Sequence, residues 1–311
     1  MKWAAETKIE KLQHEKLQAK KIEKLEELQK YIQFSGDVGN ECFSCESSCT
    51  ENNNCHQECK YVLDEVNKCV TRHIESRLPN YLIESRECGQ DGIAYIVEHG
   101  NTKRVLKVII CSSIYFHTQR FQNWKYAESR KIGPVIISGE YCPFYVGEID
   151  LGISIICMHY WGVCRENESE DAKKILNLID LAHESGILHT DPKNDNIRCG
   201  PRNAIFIDWE DIMILRKNKE IIKYLMLCKL VVDSKNHVSN VYKEVLKNLG
   251  ENVRTNAIEF VRDLLPAGDV KKTYEDALGE SEAVLNNMTV SEFYKTLETK
   301  RKPLSELNLN F

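Results

Sequence analysis

His183-Glu-Ser-Gly-Ile-Leu-His189-Thr-Asp191-Pro-Lys193-Asn-Asp-Asn196-Ile197, followed by Ile205-Phe-Ile-Asp208-Trp-Glu-Asp211, is the stretch on which the reading of this 311-residue chain turns. It places two carboxylates, an amide and a lysine in a polar loop between a helix and an apolar strand. Phosphoryl transfer uses that inventory. One carboxylate orients the attacking hydroxyl, a lysine steadies the migrating phosphoryl, and an amide with a second carboxylate holds Mg²⁺. Lys193 lies between Asp191 and Asn196, and Asp208 closes the strand that follows.

The bulk numbers bound the alternatives. Hydrophobic residues are 42 % and charged residues 29 % of the chain, enough for a sizeable core, which excludes a wholly disordered chain. No run approaches the roughly 18 apolar residues of a membrane span, and residues 1–6 do not read as a signal peptide. The net charge of −5 gives no basic footprint for nucleic acid.

From residue 81 the pattern is strand-like at Ile93–Val97 and Val105–Ile110, with a Gly100-Asn101 turn between. Ser113–Ile132 reads as a helix, Val135–Ile137 and Ile153–Met158 as strands, and the chain after Glu170 as mainly helical. Strands first and helices second indicate an α+β protein with a small β-rich lobe and a helical lobe.

At the quoted stretch the chain resembles the protein-kinase-like superfamily, whose catalytic loop reads H-x-D-x-K-x-x-N and whose metal-binding D-F-G aspartate corresponds to Asp208. The resemblance implies Asp191 as base or orienter, Lys193 on the γ-phosphate, Asn196 and Asp208 as Mg²⁺ ligands, and His189 as a brace of the loop. It further implies Lys107, in Val105-Leu-Lys107, on the α- and β-phosphates, with Glu128 as its ion-pair partner. Glu87-Cys-Gly89-Gln-Asp-Gly92 stands where the glycine loop belongs, keeping its last two glycines. Met158, His159 and Tyr160 stand where the hinge receives adenine. The implied fold is bilobal, and the implied cofactors are ATP and Mg²⁺.

Three departures bear on the acceptor. Thr190 replaces the arginine of H-R-D, so control by a phosphorylated activation loop is not expected. Asp208-Trp209-Glu210 replaces D-F-G, which is similar to aminoglycoside and choline phosphotransferases. Lys193, in contrast, is the protein serine/threonine kinase choice. Cysteines ahead of the small lobe are shared with divergent kinases of the secretory pathway. The reading is therefore a serine/threonine kinase, with a small-molecule or glycan kinase as alternative and a pseudokinase scaffold as second alternative.

Residues 1–34 hold a charged helix, with eight Lys and six Glu in the first thirty positions. Leu17, Ile22, Leu25, Leu28 and Ile32 share one face of it. That face either packs its last turns on the domain, the favoured reading, or meets a partner helix through residues 17–32 as a coiled coil. Residues 35–75 carry six of the thirteen cysteines, residues 76–161 the small lobe and hinge, and residues 162–311 the large lobe. A helical hairpin over the cysteine segment would set Cys45 beside Cys59 and Cys49 beside Cys55, the geometry of nested disulfides. A zinc site drawn from Cys42, Cys45, Cys55, His56 and Cys59, or free thiols, are the rivals. Disulfides there mean an oxidising, secretory or extracellular compartment; the absence of a signal speaks for the cytoplasm. The seven cysteines from Cys88 to Cys228 read as small buried hydrophobes.

Overall fold

The structure is a computed structural model that describes residues 19–24, 53–88, 92–164, 169–216, 219–234, 236–286 and 288–299. Two compact units divide the chain, one of residues Met1–Gln122 and Val135–Tyr160, the other of Asn123–Pro134 and Trp161–Phe311.

The first unit is built on five antiparallel strands, β1 (Leu82–Cys88), β2 (Ile93–His99), β3 (Thr102–Cys111), β4 (Ile136–Val146) and β5 (Ile149–His159), in the order β1-β2-β3-β5-β4. Period-two alternation sets the faces: Ile93, Tyr95 and Val97 of β2 are buried while their neighbours are half-exposed. β5 is buried without a break from Leu151 to Met158 and apolar there but for Ser154, as an interior strand covered on both faces is. One face takes helix α1 (Asn53–Arg77), whose Val62, Val66, Cys69 and Val70 enter the core with Ile153, Ile155 and Cys157. On the other face His117, from helix α2 (Ile114–Ser129), meets Ser154 Oγ at 2.7 Å through Nδ1.

α1 runs unbroken from Asn53 through Cys69. Cys45 and Cys49 lie outside the described residues, as do the side chains of Cys55 and Cys59, and with them both expected bridges. In the helical residues 19–24 the buried side chain is Lys21, paired with Asp150, while Ile22 is 55 % exposed. The apolar face expected to pack there is thus turned outward at Ile22, and a lysine makes the contact instead. The ammonium holds the Asp150 carboxyl below its ordinary range.

The second unit begins with β6 (Gly162–Val163) and helix α3 (Ser169–Ser185), whose Ala172, Leu178, Ile179 and Ala182 face inward. Gly186 ends α3 at φ 70°, a left-handed position where glycine escapes the Cβ penalty. The chain then enters β7 (Ile187–His189), a 3₁₀ turn (Asn194–Asn196), β8 (Ile197–Cys199), β9 (Ala204–Phe206) and β10 (Ile212–Ile214). β6, β8 and β9 form one small sheet, and β7 pairs with β10. These short strands are the exception to the mainly helical pattern expected after Glu170.

Helices α4 (Glu220–Asp233), α5 (Asn236–Asn248), α6 (Glu251–Glu259), α7 (Asp269–Asn286) and α8 (Val290–Thr299) complete the unit, with a π-helical turn at Phe260–Leu264. α4 buries nine of its fourteen residues. Glu282 of α7 lies beside it, 1 % exposed, and accepts from Arg254 Nε at 2.8 Å, from the Tyr224 hydroxyl and from Asn286 Nδ2 at 3.1 Å. A carboxylate survives burial only with such partners.

Cys164 and Cys199 form a disulfide, with Cα atoms 4.8 Å apart, that fastens the end of β6 to β8. This corrects the reading of the later cysteines for two of the seven. Cys111, Cys142, Cys157 and Cys228 are buried and free, as is Cys69.

Candidate active site

The loop after β7 is built around His189, which is fully buried. Its Nδ1 accepts from the Asp191 backbone N–H at 3.1 Å, and its Nε2–H donates to the Ile207 carbonyl at 2.8 Å. The pair of bonds fixes the neutral tautomer with hydrogen on Nε2. Trp209 packs edge-on against the imidazole at 4.6 Å and donates its Nε1–H to the Phe206 carbonyl at 2.8 Å. Tyr274 of α7, also buried, donates its hydroxyl to the His189 carbonyl. His189 is therefore the brace that the resemblance implied, with Trp209 and Tyr274 bracing it in turn.

That frame gathers the polar residues. Lys193 Nζ lies 2.8 Å from Asp191 Oδ2, and Asn196 Nδ2 donates to Asp191 O at 2.9 Å and Oδ2 at 3.2 Å. Burial works against the Lys193 ammonium, but its bond to Asp191 and the charges of Asp191, Asp208 and Asp195 outweigh it and raise its pKa. Asp208 stands within that field at φ 70°, in the left-handed region that glycine favours and aspartate tolerates better than most residues. The Ile207 N–H donates to the Asn196 carbonyl at 2.8 Å, tying the two proposed cation ligands to adjacent backbone.

These residues fit a magnesium ion completed by phosphate. Both Asn196 side-chain bonds use Nδ2, which leaves Oδ1 oriented as an acceptor. Among the described residues no three His, Cys, Asp or Glu gather as a metal cage. Mg²⁺ takes one or two side-chain oxygens and fills the rest of its shell from phosphate and water.

In the first unit, Lys107 sits half-buried on β3 opposite Ala94 of β2 and Ile156 of β5. Met158 and His159 end the neighbouring strand β5, and Tyr160 follows, 40 % exposed. The His159 N–H donates to the Val135 carbonyl at 3.0 Å, so that hinge amide serves the protein's own backbone. Glu128, near the end of α2 and in the second unit, is paired with Lys125 at 2.9 Å. Gly89 lies outside the described residues.

Gly92 has a structural duty: a Cβ there would come within 2.2 Å of the Val108 carbonyl oxygen of β3. Gly92→Ala is expected to destabilise the first unit by about 1–3 kcal/mol through overpacking, whatever it does to nucleotide binding. Denaturant unfolding without nucleotide checks this, and an unchanged midpoint would contradict the overpacking.

Sequence reasoning missed the end of α4. Asn194 Nδ2 donates to Ser234 Oγ at 3.3 Å, and Asp233 feels the charges of Asp191 and Lys193. Burial pushes the Asp233 carboxyl up. Forty residues separate Ser234 from Asn194 in sequence, and no local pattern marks the approach. A cavity of about 180 Å³ opens beside them, lined by Asp171, Asn194, Asp195, Ser234 and Tyr242.

Burial depresses the pKa of His189, with the Ile207 bond and the carboxylates of Asp208 and Asp191 pulling the other way; burial also depresses His117. Unfolded, each imidazole binds a proton near its ordinary 6.5, while the folded form stays neutral to lower pH. The unfolded state then holds more protons below that value, so stability is full above it and falls as pH drops. The slope is about 1.4 kcal/mol per pH unit for each such histidine. Denaturation from about pH 7.5 to about pH 5.5 tests this, and His189→Gln should flatten the fall. A wild-type profile with no fall would contradict it.

The first unit is thus a five-stranded antiparallel sheet with a helix between its third and fourth strands in chain order, and the second a mainly helical unit that carries the braced loop, the α+β order expected from the sequence. No family model matches the chain, and no curated protein matches it. Solved structures similar to it include the following two. An aminoglycoside-3'-phosphotransferase of type VIII aligns over 69 % of this chain and 98 % of its own, with 10 % identity and a TM-score of 0.42. The Cydia pomonella granulovirus kinase PK-1 aligns over 74 % and 98 %, with 14 % identity and a TM-score of 0.38. Likenesses at these values carry nothing about activity or acceptor.

Proposed function

We propose that the protein is an ATP- and Mg²⁺-dependent phosphotransferase that moves the γ-phosphate to a hydroxyl. The observation that carries this reading is the hydrogen-bonded set Asp191, Lys193 and Asn196, with Asp208 beside it at positive φ. Asp191 turns the acceptor hydroxyl toward the phosphorus and draws its proton as the bond forms. Lys193 passes its ammonium between Asp191 and the phosphoryl oxygens. Asn196 through Oδ1 and Asp208 through its carboxylate would hold the metal ion, which when bound neutralises phosphate charge. Lys107 would take the α- and β-phosphates. The backbone of Met158–Tyr160 would take the adenine through groups other than the His159 N–H, which is bonded to Val135.

Lys193, in its bond to Asp191, supports a protein serine or threonine as acceptor. The second reading, a small-molecule or glycan hydroxyl, is favoured by the cavity beside Asn194 and Ser234. That space suits one ring or one side chain, and the buried Tyr242 hydroxyl on its wall has no partner. Transfer from labelled ATP·Mg²⁺ into a mixed protein and small-molecule extract decides between them. Label in protein bands that vanishes with Asp191→Asn establishes the first reading, and label only in small molecules the second. Transfer that does not depend on Asp191 removes both and leaves a scaffold.

A further inference from the structure

Cys69 of α1 and Cys142 of β4 lie together on the α1 face of the first unit's sheet, both buried. Arg72, less than a turn along α1, touches both sulfurs: its Nη2 donates to Cys142 Sγ at 2.8 Å and to Cys69 Sγ at 3.8 Å. A guanidinium placed against a cysteine sulfur favours its thiolate form. A hydrogen bond from Cys69, together with Arg72, draws the Cys142 thiol below its ordinary range, against the opposing pull of burial. The same bond and burial push Cys69 up. Facing the pair are Glu140, whose Oε1 accepts from the Cys142 thiol at 3.7 Å and lies 3.6 Å from Arg72 Nη2, and Glu65 on α1. His73, fully buried, bonds Glu140 Oε2 at 2.7 Å. The Arg72 side chain is 61 % exposed, so the sulfurs sit one side chain below solvent. Phosphoryl transfer uses none of these groups.

We propose that Cys69 and Cys142 form a hydroperoxide-sensitive dithiol, with Cys142 the sulfur first oxidised and Cys69 the resolving thiol, closing to a disulfide that ties α1 to β4. The Cys142 thiolate attacks one oxygen of a hydroperoxide, forming an S–O bond as the O–O bond breaks. The departing oxygen takes a proton and, from hydrogen peroxide, leaves as water. Cys69 then gives up its proton and attacks the Cys142 sulfur; the S–S bond forms, the S–O bond breaks and a second water leaves. Two thiols lose two electrons and one peroxide gains them. Arg72 sets the reactivity by favouring the Cys142 thiolate over the thiol.

The test uses the full chain and hydrogen peroxide at a few equivalents, followed by alkylation and peptide mapping by mass spectrometry. A peptide pair linked through Cys69 and Cys142 is expected to form first. Cys157 and Cys228 serve as internal controls, since burial pushes Cys157 up to about 11 and Cys228 higher still. In Cys69→Ser, a sulfenic acid should accumulate at Cys142 and be trapped by a 1,3-diketone. Arg72→Gln should slow Cys142 oxidation about tenfold. Oxidation of the pair no faster than that of Cys157 and Cys228, or bonding of Cys142 to any other cysteine, overturns the proposal. The wild-type map alone decides, so a variant that fails to fold does not shelter it.

Discussion

Asp191→Asn is expected to lower phosphoryl transfer by about 10²- to 10⁴-fold while leaving the folded state nearly as stable as before. The substitution is isosteric but removes a carboxylate bonded to both Lys193 and Asn196. An amide has no basic oxygen to take the acceptor proton. Its NH₂ group, turned toward Asn196 Nδ2, would meet a donor with a donor. Lys193 would then lose part of the field that raises its pKa, keeping only Asp208 and Asp195. Stability should change by less than about 1 kcal/mol, because the Asp191 and Lys193 side chains are 34 % and 40 % exposed and such pairs are screened by water. Single-turnover transfer from ATP·Mg²⁺, read beside a thermal melt, separates the two effects. A variant that transfers phosphate within tenfold of wild type would remove Asp191 from the chemistry.

The second large effect is on stability. Trp209→Ala should cost about 3–5 kcal/mol, the usual loss for a fully buried large aromatic. The indole supplies the edge-on face against His189 and Phe206, and its N–H satisfies the Phe206 carbonyl. Alanine leaves a cavity under the imidazole and orphans that carbonyl. His189 is then free to tilt, which loosens its bond to the Asp191 N–H. Activity should therefore fall more steeply than the folded fraction does. Trp209→Phe keeps a ring and loses the hydrogen bond, a change of about 1–2 kcal/mol. Urea unfolding of both variants measures this. A loss below about 1 kcal/mol for Trp209→Ala would mean that the site collapses around the missing ring.

Asp191, Lys193 and Asn196 were legible because the bonds among them span five residues or fewer and a single turn closes them. Gly186 was legible as a break for the same local reason, since a left-handed helix end suits a residue without Cβ. The strands of the first unit showed where one face alternates, as in β2. Less of β4 was visible: its buried Cys142 and Phe144 flank a proline and its strand runs on past Ile137. The role of Trp209 was only half legible. Its place after Asp208 suggested a class of acceptor, whereas its contacts make it the wedge beneath His189.

The sequence by itself determined which polar residues the loop brings together and the α+β order of the chain, because both follow from residue types at short separation. Only the tertiary structure decided which distant groups meet them. Tyr274 reaches the His189 carbonyl across 85 residues, Cys199 finds Cys164 across 35, and Arg72 finds Cys142 across 70. None of these pairings leaves a periodic trace, since contacts between elements depend on which helix face the packed core turns toward which strand. Lys21 shows the same from the other side, buried against Asp150 where the helical pattern pointed to an isoleucine.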